Sequence, residues 1–259
     1  MKIAVLVKEV PDTWGDRQLD PQTKRVVRAG DNVTDEIDEK AVEAALLLRD
    51  SVPGSTVTTV TMGPKSAREA VRRSLAMGAD NGIHILDDRL VGSDAVQTSA
   101  AIAAALALGS FDLVIAGNES TDGRTAAVPA MLAERLGLSQ LTFLRTLAVE
   151  GDTVTGERMT GTGYLEVSAK LPAIVSVTEQ IAEARFPSFK GIMAAKKKPL
   201  ETVDLNELGS PDDFAGAENS WSVVTSVTVR PPRAAGTIIR DDGTAATQLA
   251  DYLASAKLL

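Results

Sequence analysis

Short apolar runs alternate with amphipathic segments through the first 140 residues, and this alternation limits the fold more than any other feature. KIAVLV (2–7) is an uninterrupted apolar run, as expected of a strand buried on both faces. EIDEKAVEAALLLRD follows as a helix with Asp35 as its cap and Asp38 in its first turn. STVTTVTMG (55–63), GIHIL and FDLVIAG (111–117) read as further strands. Between and after them lie the helical stretches PKSAREAVRRSLAMG, SDAVQTSAAIAAALALG and TAAVPAMLAERLG, the second capped by Ser93 or Asp94 and the third ending at Gly137. Strand and helix in strict turn predict an α/β chain with an open, mostly parallel, doubly wound sheet. After about residue 140 the pattern becomes β-rich, with a hairpin signal at Gly151-Asp152. Beyond residue 200 apolar density falls, and ETVDLNELGSPDDFAGAENS reads as a linker with a short helix. The chain therefore divides into an α/β domain over 1–200 and a thin C-terminal arm over 201–259, which ends in the amphipathic stretch TAATQLADYLASAKLL.

Composition removes whole classes of function. A net charge of −8 with no basic stripe argues against nucleic acid as a partner. Zero cysteines and the single histidine, His84, exclude thiolate sites and multi-histidine metal sites. His84 lies inside GIHIL and reads as a strand histidine. MKIAVLVKEV is too short an apolar run for a signal peptide, and no stretch approaches the roughly 20 apolar residues of a membrane span, so a cytoplasmic protein is expected.

In open parallel sheets ligands bind beyond the carboxyl ends of the strands. Three loops qualify: the one after strand one, containing Trp14; Met62–Pro64; and AGNESTDGRT, 116–125. The third is the richest. Gly117 and Gly123 allow close approach, Ser120, Thr121 and Thr125 supply hydroxyls, and Arg124 a cation. Thr125 is expected at a helix N-terminus, where free N–H groups favour phosphate. An ordinary loop capped by Asp122 or Thr125 fits the same residues. GTG at 161–163 completes no dinucleotide fingerprint, and no nucleophile–base pair can be assembled from spacing. EARFPSFKGIMAAKKK (183–198) sets Phe186, Phe189, Ile192 and Met193 beside Lys196, Lys197 and Lys198 in a chain only 3% aromatic. The run reads either as an exposed anchor rimmed by charge or as apolar residues packed inward at a solvated helix end. The residues alone lead to a nucleotide-binding α/β protein with an apolar loop. A stand-alone adenine-nucleotide-binding protein of the universal-stress type stays open at this point.

VKEVPDT, DEIDEKAVEAAL, SLAMGAD, VIAGNESTDG with VPAMLAERLGL, KLPAIVSVTE and EARFPSFKGIMAAKKK occur in one order over most of the chain. In these motifs the sequence resembles the beta subunit of electron transfer flavoprotein. The resemblance implies a heterodimer whose alpha subunit holds most of a redox-active FAD, with the C-terminal arm packed on that subunit. It implies AMP as a structural ligand here, electrons accepted from acyl-CoA or other flavin dehydrogenases, and delivery to a membrane quinone reductase. It also implies an electron carrier subunit without bond chemistry of its own.

By the same resemblance, Leu6, Asp35, Met62 and the loop residues Gly117, Asn118, Thr121, Asp122, Gly123, Arg124 and Thr125 match AMP contacts. Trp14 lies in the loop that approaches the flavin. Glu166 in GYLEV matches an acid that meets the alpha subunit. Residues 183–198 match the loop that docks on the dehydrogenase, with Phe189 where other members carry a leucine. The phosphate end of the nucleotide loop, GRTAA (123–127), departs from the family's Asn-Gln-Thr-Gly-Gln. An electron-bifurcating member, holding a second FAD there and using NADH, is the alternative.

Overall fold

The computed structural model describes all residues except 16–17, 210–214, 230, 234 and 259. Ten strands form one sheet. Its parallel part is, in spatial order, β7 (Ser139–Leu144), β11 (Ala173–Val177), β6 (Leu113–Gly117), β1 (Lys2–Leu6), β4 (Thr56–Met62), β5 (Asn81–Ile85) and β12 (Leu200–Val203). Beyond β7 the sheet continues antiparallel through β9 (Thr153–Thr160) to its edge strand β10 (Gly163–Lys170), while β8 (Ala148–Glu150) pairs with β9. The long polar segment after β1 is not featureless: β2 (Glu9–Pro11) and β3 (Asn32–Thr34) pair as a separate two-stranded sheet.

The helices α1 (Glu36–Ser51), α2 (Arg68–Met77), α3 (Ala95–Gly109) and α4 (Val128–Leu136) cover the parallel strands. Successive strand residues point to opposite faces. Ile3, Val5, Leu113, Ile115 and Val175 therefore pack with Ala45, Leu46, Val71 and Leu75 of α1 and α2. Ala4, Val114 and Ile174 pack on the other side with Ala101, Leu106 and Leu132 of α3 and α4. Two-sided burial explains why these strands read as continuous apolar runs. Because β1 connects through α1 to β4 on one side, while β6 lies on its other side, the carboxyl ends of β1 and β6 form a topological switch point.

Two expectations change. Glu201–Val203, read as the start of a linker, belong to the edge strand Leu200–Val203 beside β5, and the short helix of that region is a 3-10 turn at Ala217–Asn219. The stretch KLPAIVSVTE forms β11, which inserts at the middle of the sheet between β7 and β6 with all five of its residues buried. Residues 210–214 of the expected linker lie outside the described ones.

The chain divides into two compact units, Met1–Ser226 and Val227–Leu259. The second contains α6 (Ala245–Ser255), which buries none of its residues and leaves Leu249 and Tyr252 exposed.

Ile174 is fully buried in β11 at the centre of the α3/α4 face. Ile174→Ala should destabilise the protein by about 2–5 kcal/mol. Chemical denaturation reads this as a lower midpoint at unchanged slope. A loss below about 1 kcal/mol would show that β11 is peripheral to the cooperative core.

Candidate functional site

A cleft of about 290 Å³ opens at the switch point. Leu6, Val60 and Met62 form its apolar floor, and Gly117, Asn118, Ser120, Thr125 and Ala126 form one wall. Two buried carboxylates organise it. Asp35 caps α1 by accepting from Ile37 N, and also accepts from Thr121 N at 2.6 Å and Thr121 Oγ1 at 2.8 Å. Asp38 accepts from Lys8 N at 2.8 Å. Burial, with the Asp35 charge beside it, pushes the Asp38 carboxyl well above the usual range, against the hydrogen bonds from the Lys8 and Gly117 backbones.

Asp122, with a side chain only 1% exposed, accepts from Lys8 Nζ at 2.8 Å and pairs with Arg28. Burial alone would raise this carboxyl. The charge and hydrogen bond of Lys8, the Ser120 hydrogen bond and the Arg28 charge outweigh burial and hold it far below the usual range.

The loop then strains. Arg124 and Ala126 have φ of 51° and 55°, in the left-handed region that non-glycine residues rarely adopt. Helix α4 starts later than expected, with Ala127 at its cap position and no side chain capping it. Neither Asp122 nor Thr125 caps this helix, and its first residues Val128 and Pro129, the second without an N–H, line the cleft. Asn118 Oδ1 is buried without a hydrogen-bond partner and belongs to a residue lining the cleft. Such an atom is costly unless a ligand or solvent satisfies it. The cleft thus offers a ligand an apolar floor and an unpaired amide oxygen.

The expected residues separate into two roles. Leu6, Met62, Gly117, Asn118 and Thr125 line the cleft. Asp35, Thr121 and Asp122 instead hold the loop in place, and Arg124 is exposed, with no carboxylate partner among the described residues. Lys8, Asp38, Asp94 and Ser120 also line the cleft. A lysine directly beyond an apolar first strand was the signal for Lys8. His84 is buried in β5 with Nε2 at 3.0 Å from Gly63 O, a satisfied strand histidine.

The stretch 183–198 is fastened at both ends. Arg185 donates to both carboxylate oxygens of Glu43 on α1, at 2.7 and 2.8 Å. Lys198 Nζ donates to Leu75 O at 2.9 Å and Ala79 O at 2.5 Å at the end of α2. Between them Ser188 caps α5 (Phe189–Ala195). A side chain at Gly191 would meet Ala76 O at 2.3 Å, so glycine lets α5 lie directly on α2. Yet Phe186 and Phe189 are 89% and 82% exposed, and Ile192 and Met193 are exposed beside them. The inward-packed reading of these residues fails. Lys196 and Lys197 are exposed, whereas Lys198 serves as a cap for α2. Trp14, 96% exposed, and Phe186 line one groove of about 820 Å³ together with Ile192 and Lys196. Glu166 is exposed on the edge strand β10, close to Tyr164, whose ring carries Arg145 at 3.7 Å.

Sheet, switch-point cleft and projecting helix together define an α/β protein with a ligand-sized cleft and an exposed apolar helix. The Electron transfer flavoprotein domain model matches residues 23–208. The chain is 48% identical to electron transfer flavoprotein subunit beta of Mycobacterium tuberculosis and 50% identical to that of Mycobacterium leprae, with 99% of each chain covered in both comparisons. It is 32% identical to the caffeyl-CoA reductase-Etf complex subunit CarD of Acetobacterium woodii, covering 98% of this chain and 97% of that one. The chain belongs to the electron transfer flavoprotein beta-subunit family, a family of electron-transfer flavoproteins. Among the described residues no helix is long and apolar enough to cross a membrane.

Because the Asp122 carboxyl lies below its unfolded value of about 3.9, its stabilising effect is complete above that pH and is lost as pH falls below it. Asp122→Asn should therefore lower the melting temperature at pH 7, and the gap from the parent should narrow as pH falls from about 4. A gap that stays constant from neutral to strongly acid pH would show that the carboxylate is not held by charge.

Proposed function

We propose that this chain is the beta subunit of a cytoplasmic heterodimer that carries electrons from acyl-CoA or other flavin dehydrogenases towards a membrane quinone reductase. An alpha subunit holds FAD, which supplies the redox chemistry when bound. This chain's own residues bind, orient and dock. The observation that carries the reading is the helix α5, fastened to α1 and α2 through Arg185 and Lys198 while Phe186, Phe189, Ile192 and Met193 face outward. A folded chain does not anchor so much apolar surface outward without a partner to cover it. A stand-alone nucleotide-binding protein has no use for it, nor for the exposed apolar residues of the arm. One relative's name places it in a complex with a caffeyl-CoA reductase, in keeping with docking on an enzyme of CoA thioesters.

In this reading the arm 201–259 and Glu166 face the alpha subunit, Trp14 stands near the flavin, and Lys196 and Lys197 rim the dehydrogenase contact. The cleft takes AMP. At about 290 Å³ it lies at the small end of ligand pockets, which favours a nucleoside monophosphate over a second FAD. Mass spectrometry of small molecules released from the denatured heterodimer should find one AMP and one FAD. Two FAD and no AMP would replace this assignment with the bifurcating one.

Phe189→Ala should weaken dehydrogenase-dependent reduction while leaving flavin content and melting temperature unchanged. Loss of a central aromatic anchor removes about 2–4 kcal/mol of binding, roughly 30- to 1,000-fold in affinity. Lys196→Ala should have a smaller effect, confined mainly to low salt. A lower melting temperature with unchanged docking would overturn the role of Phe189.

A further inference from the structure

We infer that Arg49 is a positioning residue for the docking helix α5, closing a ring of charges that joins Arg185, at one end of the stretch 183–198, to Lys198 at the other. The inference rests on the reading that α5 docks on a dehydrogenase, and adds what fixes its orientation. Neither tether does so alone. Arg185 lies before α5 and grips α1, donating to Glu43 from its backbone N–H at 3.2 Å as well as from its guanidinium. Lys198 lies after α5 and grips the end of α2. A helix of seven residues held at one end by α1 and at the other by α2 follows any slip between the two.

Arg49, in the last turn of α1, spans that gap. Its Nε and Nη2 donate to Asp50 Oδ1 at 3.1 and 2.9 Å, and its Nη1 donates to Gly78 O at 2.8 Å, just past the end of α2. Asp50 Oδ2 lies 3.7 Å from Arg185 Nη2, and Asp80 Oδ2 lies 3.6 Å from Arg49 Nη1. Asp80 is itself pinned to β4 by accepting from Val57 N at 2.9 Å. Lys198 completes the ring. Burial lowers its ammonium, the Asp80 charge raises it and the Arg49 charge lowers it again, so the three groups share one neighbourhood. Carboxylates thus stand between successive cations: Glu43 and Asp50 beside Arg185, Asp50 and Asp80 beside Arg49, Asp80 beside Lys198. A guanidinium presents donors on two sides of one plane, so Arg49 can bond α1 and the end of α2 at once, which an ammonium cannot. Networks of this kind specify position more than they add stability.

The test uses the heterodimer with Arg49→Met, which keeps the apolar stem and removes the fork, and with Asp50→Asn, which removes the charge between Arg49 and Arg185. In both, the backbone amides of 186–198 should exchange hydrogen faster than in the parent, while those of β1 and β6 keep their rates. Reduction of the heterodimer by an acyl-CoA dehydrogenase should show a KM for the flavoprotein raised roughly 3- to 10-fold at unchanged kcat, because a helix that must be ordered on docking loses affinity. Arg49→Lys should recover little of this, since charge without the fork cannot join both helices. In the Phe189→Ala background Arg49→Met should cost clearly less than in the parent, because residues acting through one contact are not additive. Exchange at 186–198 that stays at the parent rate would overturn the inference, and so would full additivity with Phe189→Ala. If Phe189→Ala alone leaves KM unchanged, the docking reading fails instead, and the exchange rates still decide whether Arg49 holds α5.

Discussion

The buried carboxylate of Asp35 joins the two parts on which the cleft depends. One of its oxygens caps α1 through Ile37 N, and the other takes both the N–H and the hydroxyl of Thr121. The start of α1 and the loop after β6 therefore cannot move independently. A carboxylate at a helix N-terminus is favoured by the free amides and the helix dipole, so the same group that starts the helix can hold a loop more than 80 positions away. Asp38 repeats the arrangement one turn on by accepting from the Lys8 backbone, which fixes the end of β1. Together with the pairs of Asp122 to Lys8 and Arg28, these bonds hold the loop 117–127 with its left-handed residues at 124 and 126.

The same wall has two sides. Ser120 and Thr125 face the smaller cleft, while Thr121 lines the larger groove with Trp14 and Phe186. Asp122 binds Lys8 from the strand end and Arg28 from the segment that carries Trp14. The cleft and the groove thus share one short loop, whose geometry is set by buried carboxylates rather than by packing. Buried ion pairs contribute little net stability, but they specify position, because breaking one strands a charge.

Much of the fold was legible because it follows from local chemistry. Apolar runs gave the buried strands, Asp35 the cap of α1, and Gly78 and Gly137 the ends of α2 and α4, while between Ser93 and Asp94 the structure makes Asp94 the cap of α3. The edge strand Leu200–Val203 was not legible. It is short, with two of its four residues exposed, and exists because β5 offers an unpaired edge. The start of α4 was misplaced for a related reason. Threonine and aspartate ahead of an apolar run look like caps, but the aspartate was already committed to Lys8 and Arg28.

The sequence by itself determined that the chain builds a two-faced parallel sheet, that its richest loop follows the fourth strand, and that a scarce set of aromatics clusters at 186–189. These are statements about periodicity and composition, which a linear string carries. Only the tertiary structure decided that those aromatics face outward. Their exposure depends on Arg185 reaching Glu43, 142 positions away, and Lys198 reaching Leu75, 123 positions away. It likewise decided that Lys8, Ser120 and Thr125 surround one glycine. Side chains on separate elements meet only where the order of strands brings their ends together, and that order is set by the packing of the whole sheet.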